Sequence, residues 1–115
     1  MRAGPGKPGG RAYIGAVRDL ADRVERAFWD DGRLVRLPAK RAKRLLVLDR
    51  LAQRFEPGRA YLEAHVNALL VPAHPDYAML RRSLVDEGFL ARENGWYWRV
   101  GGTVPADGTR DVGPG

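Results

Sequence analysis

A mainly α fold with one small β-hairpin is predicted for this chain of 115 residues, on three observations. Apolar residues recur at helical spacing in four separate stretches. A very short apolar run, Arg59-Ala60-Tyr61, stands between the second and third of them. Further on, Asn94-Gly95 joins two apolar-rich runs, a strong hairpin signal because a type I′ turn needs φ > 0 at both central positions.

Residues 1–10, MRAGPGKPGG, are rich in glycine and proline and are expected to be disordered. Residues 11–31 form one amphipathic segment, in which Tyr13, Ile14, Val17, Leu20, Ala21, Val24, Ala27 and Phe28 make an apolar stripe. Asp30-Asp31-Gly32 is its turn signal. The stripe must be covered, either by the rest of the chain or by the same helix of a second copy, a homodimer through residues 11–29. Residues 34–100 are expected to be the domain proper. Leu34 to Leu37 is an extended link. Pro38 opens a second helix that runs to Phe55, with Leu45, Leu48, Leu51, Ala52 and Phe55 inward and Leu46 and Val47 widening that face. Glu56-Pro57-Gly58 ends it. A third helix covers Leu62 to Leu70, with Leu62, Val66, Leu69 and Leu70 inward. A fourth starts at His74, with Pro75 at its first helical position, and stops at Gly88. Phe89–Arg92 and Trp96–Val100 are the hairpin strands. Residues 101–115 carry no periodicity and are expected to be a disordered tail. Helix, tiny strand, helix, turn, helix and hairpin, in that order, make a winged helix-turn-helix preceded by one extra N-terminal helix.

Composition narrows the function classes. There is no cysteine, which removes disulfides, thiolate metal sites and cysteine nucleophiles and fits a reducing, cytoplasmic location. No apolar run approaches the roughly 20 residues of a membrane span, and the N-terminus lacks the apolar core of a secretory signal, so no membrane partner is expected. Net charge is +6, and between Arg33 and Phe55 eight basic residues stand against Asp49 alone. A patch so confined suggests an anionic partner, while its ordinary explanation is a solvated helix face. Lys40, Arg41, Lys43 and Arg44 occupy the first turns of the second helix, where positive charge opposes the helix dipole. Local stability would favour acids there, so the departure points to something anionic nearby.

Arg33, Arg36, Lys40, Arg41, Lys43 and Arg44 are therefore the candidate phosphate contacts, with Arg92 and Arg99 on the wing added to them. The fourth helix is a poor base reader. Projected on a wheel, Leu80, Leu84 and Tyr77 fall within about 60° of one another, and the far side offers Arg82 alone, with Asp86 beside it. Arg81 falls inside the apolar arc and needs an acid, for which Asp76 and Glu63 are the nearest choices. Trp96 and Trp98 share one strand face and Tyr97 takes the other; core packing is the expected use of these aromatics before base stacking. His65, His74 and Asp76 do not make a readable metal site, and His74 is expected to help cap the next helix. Ser83 is the lone serine, no carboxylate pair stands beside a histidine, and no phosphate loop is present, so no enzyme and no cofactor are expected.

The runs LPAKRAKRLLVL, RFEPGRAYLEAHVN, HPDYAMLRRSLVDEGFLAR and YWR, in this order from about Phe28 to Arg99, resemble a bacterial family known as domain of unknown function 2087. That family occurs alone and joined to helix-turn-helix regulator domains, so the resemblance implies a transcription-associated role. This chain departs from the family pattern at Leu62, where a small hydroxyl residue is usual, at His65, where an acid is usual, and at Met79, where threonine is common. The first departure removes a helix cap, and the others alter an exposed face.

The function expected from these observations is nucleic-acid binding, to DNA in preference to RNA, by a small transcription-associated regulator whose basic helix holds the phosphate backbone. The alternative is a protein-interaction module that docks an acidic partner through the same face. RNA binding through the wing aromatics ranks third.

Overall fold

The computed structural model describes residues 10–104. The segments 1–9 and 105–115, both expected to be disordered, lie outside the described residues. The elements in order are α1 (Gly10–Phe28), β1 (Trp29–Asp30), β2 (Arg33–Leu34), α2 (Arg41–Ala52), β3 (Ala60–Leu62), α3 (Glu63–Leu70), α4 (Tyr77–Asp86), β4 (Leu90–Glu93) and β5 (Trp96–Arg99). From α2 onward, three helices pack on a three-stranded antiparallel sheet of order β3-β5-β4. This is a winged helix-like arrangement, with α3 and α4 as the helix-turn-helix, β4 and β5 as the wing, and α1 as the additional helix.

The α1 stripe is covered over its C-terminal half. Val24 and Phe28 are buried and Leu20 is half-buried, while Val17 is 44% exposed. The helix does not run on to Asp31 as expected. Trp29 and Asp30 pair instead with Leu34 and Arg33. Asp31 (φ 55°) and Gly32 (φ 81°) lie in the left-handed region, so Asp-Gly makes a two-residue hairpin of the same kind as Asn94-Gly95 (φ 53° and 84°). Leu34 at its end is buried and its N–H donates to the Ala73 carbonyl at 2.7 Å, which ties this small hairpin to the α3–α4 turn.

Helix α2 is shorter than expected at both ends. Pro38 is buried ahead of it, and Lys40 is an N-cap with no side-chain bond. After Ala52 the backbone tightens, with the Arg54 and Phe55 N–H groups donating to the Leu51 and Ala52 carbonyls at 3.0 Å each. That turn carries Phe55 into the core, where it joins Val47, Leu48, Leu51 and Ala52. The ring of Phe55 meets Tyr61 edge-on at 5.2 Å. Leu62 lies before α3 as an N-cap without a side-chain bond, and it is exposed rather than inward.

Helix α4 begins later than His74. Pro75 precedes the N-cap rather than opening the helix, because Asp76 takes that role: its Oδ1 accepts the Met79 N–H at 3.2 Å. His74 Nδ1 in turn accepts the Asp76 N–H at 2.9 Å. At the other end Gly88 has φ +84°, the Gly88 N–H donates to Val85 O, and the Phe89 N–H donates to Leu84 O. Together these two bonds form a Schellman stop, which redirects the chain into the wing.

In the wing, the Tyr97 face covers the core. Tyr97 is 1% exposed and Arg99 is 9% exposed, whereas Trp96 stands out at 45%. The chain after Arg99 is not loose at its start. The Thr103 N–H donates to Asp49 Oδ1 at 2.7 Å, the Thr103 hydroxyl bonds Asp49 Oδ2 at 2.9 Å, and Gln53 Nε2 donates to Thr103 O at 2.8 Å. Arg99 completes this latch, donating from Nε to Gly101 O at 2.9 Å, from Nη1 to Phe55 O at 3.1 Å, and from Nη2 to Thr103 O. The disorder expected from Gly101 is therefore not found over Gly101–Thr103.

Candidate nucleic-acid interface

The basic stretch is contiguous in sequence and divided in space. Arg41 and Arg44 turn toward Glu87, the C-cap of α4. Arg41 Nε and Nη2 donate to Glu87 Oε1 at 3.2 and 3.0 Å, and Arg44 Nη2 donates to Oε2 at 3.2 Å. Arg44 Nη1 also donates to the Ala39 carbonyl at 2.6 Å. The anion implied by the unfavourable dipole placement is thus supplied by the chain itself. Glu87 brings a carboxylate to the start of α2, and two guanidinium groups face the negative end of α4. Hydrogen bonds first from Arg44 and then from Arg41 hold the Glu87 carboxyl below its ordinary value of 4.5.

Other members of the stretch also have partners. Arg50 pairs with Glu25 and lies 4.0 Å from the centre of the Trp29 ring, fastening α2 to α1 and β1. Arg54 Nη1 donates to the Leu69 carbonyl at 3.1 Å. Arg36 sits over the Phe28 ring at 4.9 Å, and Arg33 Nη1 reaches the Pro72 carbonyl at 3.5 Å. Lys43 lines a hollow between α1 and α2 with Leu20, Val24 and Phe28. Lys40 is exposed, with no ion pair among the described residues. Most of these cations make contacts between elements, while Arg33, Arg36, Lys40 and Arg41 also remain exposed.

The wing divides in the same way. Arg99, expected as a phosphate contact, is buried in the latch, because alternation sets it on the same inner face as Tyr97. Arg92 is exposed, with its guanidinium 5.6 Å from the centre of the Tyr97 ring. Arg82 is exposed on α4. Arg82 and Arg92 line one hollow of about 100 Å³ between α4 and the wing, with Arg81, Asp86 and Tyr97 as further walls. Arg81 Nη2 is 3.6 Å from Glu63 and Nη1 donates to Asn67 Oδ1, while the Tyr97 hydroxyl donates to Glu63 Oε1 at 3.2 Å. Glu63 is therefore the acid for Arg81, and Asp76, the other candidate, is occupied as the α4 cap. This network joins α3, α4 and the wing and holds the walls of the hollow in register.

Sequence reasoning missed Glu87, Asn67 and Thr103. Only Glu87 left a signal, the two arginines one turn apart at a helix start, where an acid belongs. Among the described residues no group of three or more His, Asp or Glu side chains could hold a metal ion. No helix among them is long and apolar enough to cross a membrane.

A family profile described as an uncharacterized protein conserved in bacteria (DUF2087) matches residues 33–99. That span runs from β2 to β5 and leaves α1 outside it. No curated protein and no solved structure matches the chain.

Proposed function

The chain belongs to the DUF2087 family, and for this member we propose a nucleic-acid-binding role, to duplex DNA, in which α4 and the wing grip the phosphate backbone through Arg82 and Arg92. The observation that carries the reading is the meeting of these two exposed cations around one hollow between helix and wing. The winged helix-like arrangement and the net charge of +6 support it. Base readout is weak in this reading: α4 presents Arg82 with Asp86 beside it, so the interaction follows the backbone and the shape of the duplex. Arg33, Arg36, Lys40 and Lys43 lie outside that hollow and add only general attraction. A cytoplasmic, transcription-associated role is part of the same proposal.

The test is fluorescence anisotropy of the full chain with a random-sequence duplex at low salt. Saturable binding is expected, and the absence of binding would sink the proposal. One observation favours a second reading, an acidic or mixed-charge protein partner at the same hollow. Asp86 stands exposed beside Arg82, which suits a protein partner better than a phosphate backbone. Under that reading a partner isolated from cells with the chain remains bound after nuclease treatment.

A further inference from the structure

The outer face of the three-stranded sheet carries two tryptophans. Alternation sends the cross-strand row Tyr61, Tyr97 and Arg92 to the inner side and leaves two rows on the other. One is Leu62, Trp96 and Glu93; the next is Ala60, Trp98 and Ala91. Leu62 and Trp96 are each 45% exposed, Ala60 and Glu93 are exposed, and Trp98 and Ala91 are half-buried. Neither indole belongs to the buried core, and Trp98, although half-buried, does not pack against it. Core packing, the usual use of rings this large, therefore does not account for them.

Three features select an occupant. Trp96 and Trp98 stand two residues apart on one strand, about 7 Å along it, and aromatic rings so placed on an open sheet stack successive unpaired bases. Trp98 has an alanine on each side in register, so no bulky cross-strand neighbour crowds its ring. The exposed apolar side chains are few, Leu62 and Trp96 with Val100 beyond them, far short of the roughly 800 Å² per partner of a stable protein interface. Charge points the same way. The chain carries +6, and Arg59 is exposed at the β3 margin beside Ala60, at the opposite corner of the face from Glu93, its one acid.

We propose that this face binds an unpaired nucleic-acid strand, with one base stacked on Trp96, the next on Trp98, and the phosphates passing along the β3 margin by Arg59. A duplex keeps its base faces stacked on one another, so only an unpaired strand can use the rings. The face lies on the other side of the sheet from Arg92 and the α4–wing hollow, so this site stands whether or not the chain binds duplex DNA.

The test uses the full chain with short oligothymidylate and oligouridylate at low salt, read by tryptophan emission and by anisotropy of the labelled strands. Trp29 lies in the core, so saturable quenching reports on Trp96 and Trp98. Trp96→Ala should weaken strand binding by about tenfold, the scale of one lost stacked base, with the melting temperature and the affinity for duplex DNA little changed; Trp96→Phe should restore most of the binding. The tighter of the two probes identifies the strand as DNA or RNA. An abasic oligomer of equal length should not quench and should compete weakly. Absence of quenching by both probes, equal competition by the abasic oligomer, or a Trp96→Ala variant that binds the strand like the parent would each overturn the proposal. An equal loss of duplex affinity in Trp96→Ala would contradict the separateness of the two sites. Light scattering that shows a dimer for the parent and a monomer for Trp96→Ala would give the face to a second copy instead.

Discussion

Glu87 lies between two arginines that the sequence offers as phosphate contacts, and it changes what they do. Glu87→Gln should free Arg41 and Arg44, raise affinity for duplex DNA, and lower stability at neutral pH; anisotropy and thermal melting read the two effects. The pH dependence follows from its depressed carboxyl. The unfolded group titrates near 4.5 and the folded one lower, so the clasp contributes fully above the unfolded value and is lost as pH falls through the folded value. The stability gap between parent and Glu87→Gln should therefore close on acidification, as followed by denaturant melts. A close backbone approach constrains Gly101. A Cβ at Gly101 would lie 2.5 Å from the Gly88 carbonyl oxygen, so Gly101→Ala should cost about 1–3 kcal/mol in urea denaturation, the usual range for overpacking. The arginines at the start of α2 signal a missing acid without saying that it is Glu87, and Gly101 leaves no signal, because both act on a neighbour that is distant in the chain and adjacent in space.

At the scale of elements, periodicity found the helices, and turn chemistry found the stop of α4 and the wing turn. Gly88 and Asn94-Gly95 were legible because left-handed backbone restricts residue choice so strongly. Helix ends were less so. Pro38 and Pro75 suit first helical positions, yet both precede the caps, which are set by Lys40 and by the Asp76 side chain. The β1–β2 hairpin carries the same Asp-Gly signal as any I′ turn, but two-residue strands leave no alternation to read. In the wing, alternation separates Tyr97 from the tryptophans without saying which side is inner, and it follows that Arg99 goes inward with Tyr97. Asp76→Ala should cost about 1 kcal/mol by loss of the cap, measurable by chemical denaturation, and should leave the wing intact.

For the whole molecule, charge is legible in the sequence as a total and only in part as a map, since exposed and internally paired cations alternate along it. Net +6 is a property of the sequence; its division into fasteners and exposed cations depends on tertiary contacts such as Arg50 with Glu25 and Trp29. Helix α1 buries Val24 and Phe28 within one chain, so a monomer is expected by light scattering at high concentration. A stable dimer would instead assign the exposed Val17 side of α1 to an interface. Arg82 and Arg92, rather than the start of α2, are the residues proposed to hold the duplex backbone. That assignment is tested most directly by duplex affinity across a salt series for the parent, for Arg82→Ala/Arg92→Ala, and for Arg41→Ala/Arg44→Ala. At about 0.9 per phosphate contact, the first variant should lower the slope of log affinity against log salt by about two, and the second should leave it nearly unchanged while reducing stability. The reverse pattern, with the slope lost in the α2 variant and retained in the α4–wing variant, would contradict the account.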